Sequence, residues 1–349
     1  MLEASRDLLE REVAAGRCHG YALAAGRGEQ SLQTIAGGTL GGAGTAAVTP
    51  RTRFDLEHLT ETMVAVPLTL LALEKGMLSL TDPISFYLDV PAGKKAITWW
   101  HLLTHTSGME PSFLLEGAAE TPQGSLKAIF TRPLGAEVGK RAKHSGVGFV
   151  ALGKALEGLY GMPLDQAAKK HLFEPLGMKH TGFLPAGEDI AHGPVDSVTG
   201  QPRIGEPHDA NARFLHGVSA SAGLFSSAED CLRFLAMLST GGKAYGKVFL
   251  TRESLRLAVT EHTRGMKEAY GLGFQLPSRA NSFFGDLWPA GGFGQAAYTG
   301  ASLAVDPDSG LTVALLMSRT HVAKESPELL RLRRLIHNQV YAAFLREQG

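Results

Sequence analysis

Imidazole and carboxyl side chains can exchange protons near neutral pH, and His58 and Glu61 place one of each three residues apart. The apolar residues around them, Leu56, Leu59, Met63, Val64, Val66, Leu70 and Leu73, recur at helical spacing. Residues 56–73 are therefore predicted to form a long, mostly buried helix, with a kink or one-turn offset at Pro67. On one helix face, side chains at i and i+3 can meet. A helix start favours an ionised Glu61 and disfavours a protonated His58, so the expected pair is a carboxylate beside a neutral imidazole, able to act as general acid and base.

Other chemistry-bearing residue types are less well arranged. The glycine-rich run from Gly37 to Gly44 has no following Lys-Ser or Lys-Thr and reads as a loop, not a phosphate cradle. Gly217-Val218-Ser219-Ala220-Ser221 lacks the final glycine of a nucleophile elbow. Cys18 and Cys231 are far apart and in no metal-ligand spacing, so they read as buried apolar residues and not as a disulfide. Trp99, Trp100 and Trp288 could line a ligand cleft, but packing is the commoner use of such rings.

The elements that must hold these residues follow from the pattern of the chain. An amphipathic helix opens it, followed by a β-hairpin of 20–25 and 31–36 about the turn Gly26-Arg27-Gly28. Helical patterns dominate to about residue 245, including 147–160, 165–173 and 228–240. Strand-like runs come at 271–275, 297–306 and 311–318, then a closing helix over 327–345. This order predicts an α/β (α+β) fold in which the two ends of the chain share one antiparallel sheet flanked by helices, with a large helical insert. The expected division is a discontinuous sheet domain of 1–54 and 246–349, a mainly helical domain of 55–245, and a ligand cleft between them.

With 44% hydrophobic residues among 349, the chain can bury a large core. Thirty-four basic residues balance 34 acidic ones, so neither a nucleic-acid partner nor an anionic membrane is expected; a small-molecule substrate or ligand is. The opening residues lack the layout of a secretory signal and no apolar run is long enough to span a bilayer, which points to the cytoplasm. Composition sets no oligomeric state.

Several segments resemble the penicillin-binding protein and class C β-lactamase-like serine hydrolases over nearly the whole chain. Phe54-Asp55-Leu56-Glu57-His58-Leu59-Thr60-Glu61 is similar to that family's Phe-Asp-Leu-x-Ser-x-x-Lys helix start. Thr81-Asp82-Pro83-Ile84 and the run Ile97-Thr98-Trp99-Trp100-His101-Leu102-Leu103-Thr104-His105-Thr106-Ser107-Gly108-Met109 resemble its structural signature. Phe173-Glu174-Pro175-Leu176-Gly177-Met178 and Ala222-Gly223-Leu224-Phe225-Ser226 follow the pattern. Pro207-His208-Asp209-Ala210-Asn211-Ala212 resembles a branch that includes muropeptide amidases of cell-wall recycling.

The resemblance implies the fold named above, and it also implies replaced catalytic motifs. His58 stands at the serine position and Glu61 at the lysine position. His144-Ser145-Gly146 stands at Tyr-x-Asn, and Gln295-Ala296-Ala297, followed by Tyr298, at the Lys-Thr-Gly or His-Thr-Gly strand. Ser221 stands where the recycling branch has a histidine. Serine acyl transfer is then not expected, because nucleophile, base and proton shuttle are all absent. One reading is a rebuilt hydrolytic site for a small polar amide, ester or glycoside: Glu61 or His58 activates water, His144 donates a proton, and Gln295, Ser221, Ser145 and Tyr298 hold the substrate. A second is a noncatalytic ligand-binding or regulatory protein whose old pocket has drifted. A third takes His58, Glu61 and His144 as a metal-dependent hydrolase site. An i, i+3 pair with a remote histidine is a poor metal signature, so no metal and no other cofactor is expected. His101 and His105 are expected to organise a loop, Asp209 and Asn211 to cap local backbone, and Glu57 and Lys143 to be solvated.

Overall fold

A computed structural model describes residues 1–278, 282–319 and 327–348. Helix α1 (Glu3–Ala14) leads into strands β1 (Gly20–Arg27) and β2 (Gln30–Gly38), joined by a tight turn in which Gly28 takes a φ of +56°. The hairpin is as predicted, with strands two residues longer at the turn end of β1. After the short strand β3 (Phe54–Asp55), the predicted helix runs from Leu59 to Glu74, and its regular part is α2 (Val66–Glu74). Its first turns are widened: Glu61–Ala65 form a π-helical segment, and the Val66 N–H reaches back to the Glu61 carbonyl. Pro67 brings no N–H to the ladder, which explains the one-turn offset at this point.

The middle of the chain supplies α3 (Gly146–Tyr160), the strands β4 (Gly182–Phe183) and β5 (Leu224–Ser226), which pair in the order β3-β5-β4, and α4 (Ala228–Ser239). Strands β6 (Phe293–Ala296), β7 (Ser302–Val305) and β8 (Leu311–Met317) and the helix α5 (Pro327–Gln348) follow. The main sheet has the order β2-β1-β8-β7-β6, antiparallel throughout, so strands from the two ends of the chain meet at its centre.

Alternation along the sheet decides its two faces. Tyr21, Leu23, Ala25, Val313, Leu315 and Met317 pack with α1 and with Ile336, Val340 and Phe344 of α5. Ala22, Ala24, Ala314 and Leu316 face the larger core shared with α4 and the helical middle of the chain. Both faces are covered, which is why β1 and β8 read as nearly unbroken apolar runs.

Two predicted strands take another form. Residues 271–275 fold back on themselves: the Gly271 N–H bonds the Phe274 carbonyl, Tyr270 bridges Gln275, and Gly273 takes a φ of +72°, so the run is a tight turn. The predicted strand 297–306 begins instead with a turn, in which Ala297 N–H bonds the Ala301 carbonyl and Gly300 takes a φ of +104°. Trp99 and Trp288 are buried in packing, and Trp100 packs on His262; none lines the cleft described below. Cys18 and Cys231 are buried and unpaired. Among the described residues no helix is long and apolar enough to cross a membrane.

Candidate functional site

A cleft of about 720 Å³ lies beside β6 and is lined by Glu57 and His58, by His144, by residues of the stretch from Glu268 to Leu276, and by Pro327, Leu330 and Arg333 of α5. Gln295 and Tyr298 line it from β6 and its turn. Its described lining includes Ser278 and Ser282 and no lysine.

His58 and His144 come together as expected, their ring centroids 4.5 Å apart and each side chain 27% exposed. Glu61 lies behind them with no exposure. His144 Nε2 is 3.1 and 3.0 Å from the two carboxyl oxygens of Glu61, while His58 Nδ1 is 3.6 Å from Oε1. The expected ionised Glu61 is corrected here. Complete burial pushes its pKa well above the ordinary carboxyl value, His58 opposes that shift and Glu57 adds to it, and loss of hydration outweighs the helix end. Glu61 also has no surface with which to touch a substrate or a bulk water.

Two residues expected elsewhere belong to this cluster. Glu57, expected to be solvated, is 5% exposed: its Oε1 lies 3.2 Å from His58 Nε2, and its Oε2 accepts the Tyr298 N–H at 2.5 Å. Its backbone is left-handed, φ +45°, a conformation that costs a non-glycine residue on the order of 1–3 kcal/mol. Asp55 holds it there by accepting the Glu57 N–H at 2.9 Å and, through its other oxygen, the His208 N–H at 2.6 Å. Burial pushes the Asp55 carboxyl up to about 7. His105 does organise a loop, accepting the Ser145 N–H on Nδ1 at 3.2 Å. Its buried Nε2 has no hydrogen-bond partner and points at Glu61 Oε2 from 3.8 Å; burial holds this ring well below the ordinary histidine pKa. Neither residue carried a signal in sequence beyond its place beside a motif.

The four residues expected to hold substrate divide into two pairs. Gln295 and Tyr298 line the cleft, Gln295 accepting the Ala296 N–H on its side chain and the Tyr298 ring stacked on His208 at 5.3 Å. Ser145 and Ser221 do not line it. The Ser145 hydroxyl caps α3, accepting the Gly148 N–H and donating to the Glu110 carbonyl; the Ser221 hydroxyl bonds Ser219, and it is the Ser221 carbonyl, 3.1 Å from His58 Nδ1, that touches the site. Tyr270, missed in sequence, lines the cleft with its ring 4.7 Å from that of His105 and its hydroxyl on Glu268. Lys143 is exposed, as expected. His101 closes a capping box with Thr98, and Asp209 caps the turn after it. Asn211 reaches further than expected and clamps Phe113 and Leu115.

The carbonyls of the β6–β7 turn are gathered by Arg333 of α5, which donates to those of Ala297, Gly300 and Ala301. The arrangement as a whole sets two imidazoles, each 27% exposed, against a dry carboxyl group at the foot of the cleft, a geometry suited to moving protons to and from a bound water.

The family model described as Beta-lactamase matches residues 6–338. A Salmonella typhimurium protein named "Putative D-alanyl-D-alanine carboxypeptidase" is 28% identical over 318 residues, covering 80% of this chain and 72% of that protein. Among solved structures, the octameric penicillin-binding protein homologue from Pyrococcus abyssi superposes with a TM-score of 0.74 at 22% identity, covering 96% of this chain and 76% of that one. A class C beta lactamase from Rhodobacter sphaeroides does so with a TM-score of 0.74 at 20% identity, covering 97% and 99%. The fold is the one that the sequence resemblance implied.

Proposed function

The chain belongs to the beta-lactamase family, and from that premise we propose a hydrolase of small polar amides, esters or glycosides that works through a water activated by the His58, Glu61 and His144 cluster, with no serine acyl-enzyme. The observation that carries this reading is the contact of His144 with a fully buried Glu61 at 3.0 Å. The imidazoles reach the cleft and Glu61 does not, so His58 and His144 handle the proton of the attacking water. Glu61, inclined by burial toward its protonated form, exchanges a proton with His144 behind the reacting face. Gln295 and Tyr298 orient the substrate. The name of the Salmonella relative makes D-alanyl-D-alanine peptides the first compounds to assay.

A second reading, a noncatalytic ligand-binding protein, is favoured by one contact. Glu57 Oε2 already accepts the Tyr298 N–H, so the protein's own carboxyl group occupies a backbone donor on the cleft wall. The two readings separate on a panel of peptides, esters and glycosides. The hydrolase turns over at least one compound, and Glu61→Gln and His58→Ala each abolish that turnover while the circular dichroism stays native. Unchanged rates in both variants remove the hydrolase reading. A thermal shift with ligand and no turnover anywhere on the panel selects the second. Under both readings a fluorescent penicillin leaves no covalent mass adduct.

A further inference from the structure

The hydrogen-bond requirements of the His58 ring are not met by one proton. Its Nε2 faces Glu57 Oε1 at 3.2 Å. Its Nδ1 faces the Ser221 carbonyl at 3.1 Å and Glu61 Oε1 at 3.6 Å. With the Nε2 proton given to Glu57, the Nδ1 lone pair, a carbonyl oxygen and a carboxyl oxygen converge on one another, and His144 Nε2 closes on the same carboxyl group from the other side. Such a convergence of acceptors is satisfied either by one further proton, on Glu61 or on the ring, or by a cation held between the side chains.

The geometry points to a binding site for one divalent transition-metal ion of the zinc class, ligated by His58 Nδ1, Glu61 and His144 Nε2, with its remaining position open to the cleft. The three ligand atoms lie within 4.8 Å of one another. A tetrahedral zinc ion with ligands about 2.0–2.1 Å away needs its donors roughly 3.3 Å apart, and the distances from Glu61 Oε1 to His58 Nδ1 and to His144 Nε2, 3.6 and 3.1 Å, bracket that value.

The outer partners are arranged for the same end. A metal-ligating histidine characteristically gives its other N–H to a carboxylate, and Glu57 stands at that position on His58. His105 is not itself a ligand: Nδ1 accepts the Ser145 N–H, which leaves the ring proton on Nε2, aimed at Glu61 Oε2 and without a hydrogen-bond partner. An ionised, metal-bound Glu61 supplies the acceptor that this buried N–H lacks.

This inference concerns binding at the cluster and stands apart from turnover, so the two fail separately. Protein prepared without a histidine tag and stripped with EDTA is titrated with zinc by calorimetry and with cobalt by visible absorption. One equivalent is expected to bind, with intense cobalt bands of a four-coordinate centre. Glu61→Gln and His144→Ala abolish these bands. Glu57→Gln, which leaves all three ligands in place, weakens zinc binding by about 10- to 100-fold. Absence of stoichiometric binding in the wild-type protein overturns the site, as does binding that survives both ligand substitutions. Stoichiometric binding without turnover leaves the site standing and defeats the hydrolase reading; turnover by stripped protein that binds no metal does the reverse.

Discussion

Glu61 is a carboxyl group cut off from water with imidazoles of three histidines around it, and its titration must differ between the folded and unfolded chain. Unfolded, it loses its proton near 4.5; folded, it keeps the proton to a higher pH. The folded state then binds more protons above pH 4.5, so stability falls as pH rises until the folded pKa is passed. His105 acts in the opposite sense: its ring refuses a proton that the unfolded chain takes up near 6.5, so its contribution is present above that pH and is lost as pH falls. Glu61→Gln removes the first effect and keeps the second. In EDTA, the unfolding free energy of wild type minus variant is expected to shrink from pH 4.5 upward by up to about 1.4 kcal/mol per pH unit. Urea titrations at pH 4.5, 6 and 7.5 measure this, and a flat difference would mean that Glu61 is ionised in the fold. In sequence, His58 and Glu61 were legible as a pair, and resemblance added His144. The inward turn of Glu57 was not legible, because it depends on a left-handed backbone and on acceptance of an N–H from a turn 241 residues away.

At the level of elements, periodicity exposed the long helices, but not the shorter one at Arg252–Val259, and turn chemistry located the first hairpin. The strands near the cleft were harder to read. In the run 297–306, small and apolar residues continue through a turn, and only the φ of +104° at Gly300 marks the reversal. A Cβ at Gly300 would lie 2.8 Å from Arg319 Cδ and 3.0 Å from Met317 Cβ. Gly300→Ala is therefore expected to cost about 1–3 kcal/mol from backbone strain. The same change should shift the Tyr298 amide resonance, because the turn it distorts carries that group onto Glu57. A variant as stable as wild type in urea would show that the turn tolerates a side chain. The widened turn at Glu61–Ala65 was signalled only by Pro67, and no local pattern gives its length.

For the whole molecule, the sheet is buried on both faces, and the cleft sits at the β6 edge, away from the pairing of β1 with β8. Stability and site chemistry can then be perturbed separately. Leu315, fully buried between the sheet and α5, is expected to cost about 2–5 kcal/mol when cut to alanine, through lost transfer energy and the cavity left behind. Chemical denaturation measures that cost, and the cleft's ligand or metal affinity should remain within twofold. The sheet order has a kinetic consequence as well. Tyr21 pairs with Met317, so the central ladder joins strands that almost the full chain separates, and a search over that contour length precedes the first reward. Until β8 arrives, the β1–β2 hairpin offers a bare, apolar edge to any other polypeptide nearby, which makes refolding slow and its yield sensitive to protein concentration.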